Sequence, residues 1–237
     1  MPGSVAIVTG VGARGQVGFA VARALLAVGE RVLVTARGAA LDALATELAA
    51  GSPAGNVAAL RADLSTPAGA ESVVAAARDR FGRLDLLVNV AGGLTVIKPL
   101  AETSPEEWTG EIERNARTAF LLCRAALPLL RASRGAIVNF ASPAGLRAVR
   151  NLGAYSAGKA AVVALTRALA LEEAAGGVRV NAVAPGMIDT EQNRAGVADS
   201  ARVTWVTREQ VAEAVLFLAS PAASGITGET IVVGGRA

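Results

Sequence analysis

The chain has 237 residues and a net charge of +3, with 23 Lys and Arg against 20 Asp and Glu; no dense basic run and few aromatic residues accompany that charge, which argues against a nucleic-acid partner. The excess in its hydrophobic content of 52% is mostly alanine, no uncharged apolar run reaches the ~20 residues needed to cross a bilayer, and Met1-Pro2-Gly3-Ser4-Val5 lacks the basic and apolar regions of a signal peptide, so a cytoplasmic chain with no membrane partner is expected. Histidine is absent and Cys123 is the only cysteine, which excludes Ser-His-Asp and Cys-His catalysis, an intrachain disulfide and the usual zinc sites; no metal is expected.

The first apolar run of strand length covers residues 5–9 and passes through Thr9-Gly10-Val11-Gly12-Ala13-Arg14-Gly15-Gln16-Val17-Gly18 into a helical pattern at 15–28. Glycines in such a turn let the backbone approach a pyrophosphate, whose charge the helix N-terminus favours. An ordinary tight strand-to-helix turn is the alternative. A second strand at 32–35 runs into Ala36 and Arg37, where an acidic side chain would bind the ribose hydroxyls of NAD. A guanidinium there suits the 2'-phosphate of NADP, and Arg14 in the glycine loop offers a second cation; both could equally be surface residues.

A helix at 39–49, a strand at 57–60, a helix at 68–81 and a strand at 84–89 follow. A long helix at 105–130 opens with Ser104-Pro105-Glu106-Glu107, an N-cap, a first-turn proline and a capping-box glutamate. Cys123 lies in its apolar run and reads as core. Next come a strand at 136–140, a helix at 154–174, a strand at 178–183, a helix at 208–219 and a last strand at 230–233. No linker, repeat or low-complexity tract divides the chain, so one α/β domain over residues 1–237 is expected. Strands apolar on both faces predict a Rossmann-like, doubly wound, seven-stranded parallel sheet with helices on both sides, binding ligands beyond its carboxyl edge.

The helix at 154–174 carries the only tyrosine, Tyr155, and one of two lysines, Lys159. Four residues apart they share a helix face, and a cation beside a phenol favours the phenolate, which would make Tyr155 usable as a general acid or base.

With these residues in place, the chain resembles the short-chain dehydrogenase/reductase family along essentially its whole length. The resemblance rests on the Thr-Gly start of the glycine loop, Asp63-Leu64, Asn89-Val90-Ala91-Gly92, Asn115, Ser142, Tyr155-x3-Lys159, and Pro185-Gly186 followed by Thr190. It implies a catalytic group of Asn115, Ser142, Tyr155 and Lys159. In that group Tyr155 exchanges a proton with the substrate oxygen, Ser142 hydrogen-bonds the same oxygen, Lys159 also meets the nicotinamide ribose, and Asn115 holds a water that relays protons. It also implies cofactor contacts from Gly10, Gly12, Gly15, Gln16, Val17, Gly18, Asp63, Leu64, Asn89, Ala91, Gly92, Pro185, Gly186, Ile188 and Thr190. Structural alternatives accompany three of these: Asp63 as a helix cap, Pro185-Gly186 as a turn, and Asn89 as a tie between strands.

The sequence departs from the family pattern in four places. The glycine loop is two residues longer than usual, similar in length to that of enoyl-acyl-carrier-protein reductases, but the Tyr-x3-Lys spacing favours carbonyl over enoyl reduction, since the wider enoyl spacing would place its tyrosine at Leu152. Val90 replaces a second asparagine, Gly234 stands where many relatives carry aspartate, and residues 191–206 are short and polar where relatives have a longer lid. The resemblance implies an NADPH-dependent reductase of a ketone or aldehyde, such as a 3-oxoacyl thioester, or the reverse reaction, in a homotetramer. A non-catalytic NADP sensor or scaffold is the alternative from another class. Residues 93–97, 144–150 and 187–206 are the expected walls of the substrate pocket.

Overall fold

The computed structural model describes residues 3–197 and 203–234. Residues 198–202 of the expected pocket wall lie outside these, as do both ends of the expected domain. Strand β1 (Val5–Thr9) is buried along its whole length. Its side chains alternate between two separate cores, Ala6 and Val8 joining one while Val5 and Ile7 join the other. A strand with no polar face requires cover on both sides.

That cover comes from alternation along the chain. After β1 come α1 (Val17–Ala27), β2 (Arg31–Ala36), α2 (Ala40–Ala50), β3 (Val57–Arg61), α3 (Pro67–Phe81) and β4 (Leu86–Asn89). The second half adds α4 (Pro105–Ile112), α5 (Thr118–Ser133), β5 (Ala136–Phe140), α6 (Gly153–Glu172) and β6 (Arg179–Pro185). It ends with β7 (Met187–Ile188), α7 (Glu191–Ala195), β8 (Trp205–Val206), α8 (Arg208–Ala219) and β9 (Thr230–Val233). Seven parallel strands form one sheet in the order β3-β2-β1-β4-β5-β6-β9. Helices α1, α2 and α8 pack on one face; α3, α5 and α6 pack on the other. The chain leaves β1 for β2 on one side and reaches β4 on the other, so a crevice opens at the carboxyl ends of β1 and β4.

The expected architecture is present, with three local differences. The helix expected at 105–130 is continuous but carries a π-helical turn at Glu113–Arg117 between α4 and α5. Periodicity cannot register this turn, because a single inserted residue leaves the apolar pattern on either side intact. The Ser104–Glu107 capping box that starts α4 is formed in both directions. The lid segment holds a two-stranded parallel ribbon, β7 with β8, and the short α7, which are below the length that periodicity resolves.

Buried polar groups tie the centre of the sheet together. Asn89 Nδ2 donates to Asn139 Oδ1 at 2.8 Å, and Asn139 Nδ2 donates to Thr166 Oγ1 at 2.9 Å, linking β4, β5 and α6. Cys123 is 1% exposed and lies against both asparagines. Burial pushes its thiol up to about 12, so it is packed and protonated, as expected for a core residue.

Candidate active site

The glycine loop meets α1 at the crevice. A Cβ on Gly18 would lie 2.6 Å from the Gly10 carbonyl oxygen, so a glycine here is what lets the helix start pass under the end of β1. Gly12 is less confined, its virtual Cβ meeting only the Gln16 Oε1 at 3.2 Å, and that of Gly15 meets only the Arg208 Nη1 at 3.8 Å. The first turn of α1 has no acidic residue, and Gln16 makes no side-chain cap, so its leading N–H groups lack a side-chain acceptor. Together with the bare backbone of the loop, this suits a pyrophosphate.

Gly10, Gly12, Gln16, Val17 and Gly18 line a cleft of about 570 Å³ with Arg37, Asp63, Leu64, Ala91 and Gly92. Arg37 is exposed and contributes to holding the Asp63 carboxyl below its usual range, after the two hydrogen bonds that Asp63 accepts from Ser65. Thr66, and not Asp63, caps α3. Four expected contacts line neither this cleft nor the pocket that adjoins it. Arg14 pairs with Glu47 at 2.8 Å on the surface, Asn89 is turned into the Asn139 bond, and Gly15 and Thr190 border a separate hollow with Arg194 and Arg208. Thr190 caps α7 by accepting from Asn193 N at 3.1 Å.

A second pocket of about 490 Å³ adjoins the cleft, sharing Val17, Val90 and Gly92 with it. Ser142, Tyr155 and Lys159 line it together with Pro185, Gly186 and Ile188. Ser142 follows β5, and the turn after it lies flush on α6: a Cβ on Gly145 would sit 2.6 Å from the Lys159 carbonyl carbon. That approach sets Ser142 and Tyr155 on the wall of one pocket. Burial pushes the phenol above its ordinary value, the Ser142 hydroxyl works downward, and the negative charge of Glu111 works upward.

Lys159 is 5% exposed and donates from Nζ to the Phe140 carbonyl at 2.8 Å. Its Nζ lies 5.8 Å from the Tyr155 ring centroid. Burial lowers its pKa from 10.5 to about 8, with Glu111 acting in the opposite direction. The expected local effect, a lysine holding the phenol down, is not among the influences that set the Tyr155 phenol; desolvation dominates and raises it.

Asn115 sits inside the π turn, 1% exposed. Its Nδ2 donates to the Gly93 and Glu111 carbonyls at 2.9 and 3.0 Å, and its Oδ1 accepts from Gly93 N at 3.0 Å. A Cβ on Gly92 would fall 2.7 Å from Asn115 Oδ1 and 3.3 Å from Lys159 Nζ, so Gly92 is the small residue around which these two groups meet. The four residues expected to act together are brought to one place by β5, α6 and the π turn.

Sequence reasoning missed Glu111, which is completely buried behind Asn115. The available signal was its position four residues before Asn115, one helical turn away on the same face.

A family model described as Enoyl-(Acyl carrier protein) reductase matches residues 10–235. The chain is 39% identical to 1,6-dihydroxycyclohexa-2,4-diene-1-carboxylate dehydrogenase of Pseudomonas putida, over 98% of this chain and 92% of that protein. It is 35% identical to the 3-oxoacyl-acyl-carrier-protein reductase FabG of Escherichia coli (strain K12), over 98% and 96% of the two chains. Among solved structures, levodione reductase superposes with a TM-score of 0.91 at 30% identity, covering 99% of this chain and 97% of that one. The chain belongs to the short-chain dehydrogenase/reductase family, whose members are NAD(P)-binding oxidoreductases acting on CH–OH and C=O groups. Among the described residues no helix is long and apolar enough to cross a membrane.

Proposed function

We propose that the protein is an NADPH-dependent reductase converting a ketone or aldehyde to an alcohol, or running the reverse, as one domain over residues 1–237. The observation that carries this reading is the meeting of the Tyr155 and Ser142 hydroxyls and Lys159 in a pocket continuous with the glycine-lined cleft. The cleft fits a dinucleotide: bare loop backbone at the helix start for the pyrophosphate, Asp63 and Leu64 beside the adenine, and Arg37 for a 2'-phosphate. A bound nicotinamide cofactor supplies the hydride.

Every proton movement falls to the chain's own residues. Tyr155 donates its phenolic proton to the substrate oxygen in reduction and takes it back in oxidation. Ser142 hydrogen-bonds the same oxygen and steadies the charge that develops on it. Lys159, anchored on Phe140, would hold the cofactor's ribose and supply positive charge beside the phenol. Asn115 borders Lys159 across Gly92, where it would hold a water for proton relay to solvent.

A 3-oxoacyl thioester is the substrate class we favour, supported by the likeness to the FabG reductase; the dihydroxy-diene carboxylate dehydrogenase supports a cyclic alcohol as second choice. The family model's description favours an enoyl reductase, but Leu152 stands where that chemistry would need its tyrosine. We place the protein in the cytoplasm as a homotetramer, with Phe120 on α5 and Leu171 on α6 exposing apolar side chains suited to contact between copies. Light scattering that gives a monomer mass would overturn the tetramer.

The test is a titration with NADPH and with NADH followed by nucleotide fluorescence, then a carbonyl panel that includes 3-oxoacyl thioesters. Preference for NADPH and oxidation of NADPH by a panel member support the reading. Binding without turnover on any member would favour the sensor alternative.

A further inference from the structure

We propose that Glu111 is a positioning residue for this reaction: its buried carboxylate ties the 94–96 wall of the substrate pocket to the Asn115 amide and joins the backbone in holding that amide's orientation. The inference rests on the reading of Tyr155, Lys159 and Asn115 given above and adds a group that the reading does not use.

Glu111 is 0% exposed, and a carboxylate so placed costs several kcal/mol unless donors surround it. Donors do surround it. Oε1 accepts from Thr95 N at 2.6 Å, Thr95 Oγ1 at 2.5 Å and Val96 N at 3.0 Å, and Oε2 accepts from Asn115 Nδ2 at 3.2 Å. None of these donors is a cation. Three belong to the segment that walls the substrate pocket beside Leu94, and the fourth to Asn115.

The consequence follows from what each group can donate. An ionised carboxylate only accepts, whereas an amide has one accepting and one donating end. The Glu111 carboxylate therefore joins the Gly93 and Glu111 carbonyls in holding Nδ2, while Gly93 N donates to Oδ1, and together they leave Oδ1 facing Gly92 and the Lys159 ammonium beyond. A glutamine at 111 would have to divide its two ends between Thr95 and Asn115. If its oxygen kept the Thr95 and Val96 donors, its NH2 would oppose Asn115 Nδ2, donor against donor.

Charge supplies a second consequence. Glu111 opposes ionisation of the Tyr155 phenol and favours the protonated Lys159. The other groups around this pair are Ser142 on the turn after β5, Arg147 in the pocket wall, and Arg114 of the π turn, which reaches Thr95 Oγ1 at 3.4 Å. Glu111 is the carboxylate that acts on both members of the pair.

Because Tyr155 is the only tyrosine, its ionisation can be followed directly by ultraviolet absorbance in the purified chain, without substrate or turnover. We would titrate wild type, E111Q and E111D this way, with circular dichroism at each pH to confirm the fold, and measure kcat, KM and NADPH binding in parallel. The expected result is a tyrosine midpoint moved to lower pH in E111Q and kept in E111D, which retains the charge. NADPH binding should stay within about twofold in both, and kcat of E111Q should fall about tenfold, the scale of one lost hydrogen bond to a charged group. An unchanged tyrosine midpoint in E111Q overturns the proposal, as does a downward shift in E111D equal to that in E111Q. Should E111Q not fold, the E111D midpoint and a raised carbonyl KM from its shortened reach decide the matter alone. A wild-type protein that binds NADPH but turns over no carbonyl overturns the reductase reading, while the tyrosine titration still tests Glu111.

Discussion

Lys159 donates its ammonium to the Phe140 carbonyl at 2.8 Å, so the end of β5 holds the cation that the sequence pairs with Tyr155 one helical turn away. Its folded pKa of about 8 lies below its ordinary 10.5, chiefly through burial. Between those values the unfolded chain binds more protons, so this group makes the protein more stable as pH rises through the window; below about pH 8 the buried charge weighs against the fold.

Replacing Lys159 with methionine removes that opposition together with one hydrogen bond. We expect K159M to lose turnover by about 100-fold or more, yet to melt no lower than wild type at pH 7. A calorimetric midpoint lowered by more than about 5 °C would contradict the assignment of net strain to this lysine.

Tyr155→Phe removes the phenolic proton while keeping the ring. Turnover should drop about 1,000-fold and NADPH affinity should stay within about twofold. Steady-state kinetics beside a fluorescence titration measures both, and retained turnover would remove Tyr155 from the acid–base role.

Arg37→Glu tests the cofactor assignment. Arg37 lines the cleft next to Asp63, and losing a guanidinium–phosphate contact should weaken NADPH about 10- to 100-fold while leaving NADH little changed. Equal weakening of both nucleotides would place the 2'-phosphate elsewhere.

Arg14→Ala should behave differently, although both arginines occupy suggestive places in the sequence. Its partner is Glu47, and exposed pairs of this kind contribute about 0–1 kcal/mol. We expect NADPH affinity within about twofold of wild type; a loss matching that of Arg37→Glu would mean that Arg14 leaves Glu47 for the cofactor.

Gly18→Ala and Gly12→Ala separate the two kinds of glycine in the loop. A Cβ at 18 meets the Gly10 carbonyl at 2.6 Å, whereas one at 12 meets only the flexible end of Gln16. Thermal melts should show Gly18→Ala destabilised by about 1–3 kcal/mol, with Gly12→Ala close to wild type.

Much of this was legible in the residues because the signals are local. Strand and helix follow from periodicities within a dozen residues, and two apolar faces on each strand predict the two-sided cover that α1, α2 and α8, and α3, α5 and α6, provide. The Tyr155–Lys159 pair needs only one helix to bring it together, and the glycine loop only one strand-to-helix junction.

What the tertiary structure alone decided concerns partners distant in sequence. Arg14 and Arg37 are both cations near the glycine loop, but only packing reveals that α2 presents Glu47 to the first while the second faces the cleft. Asn89 reads in sequence as a cofactor contact or as a tie between strands, and only the fold shows Asn139 of β5 accepting from its amide. Glu111 reads as one more surface glutamate on a polar helix; the π turn and the 93–96 segment enclose it. The sequence by itself determined the order and type of elements and the helix face bearing Tyr155 and Lys159, because backbone periodicity is a short-range property. Which polar groups meet, and how burial moves their protons, depended on chain segments that only the fold brings within hydrogen-bonding distance.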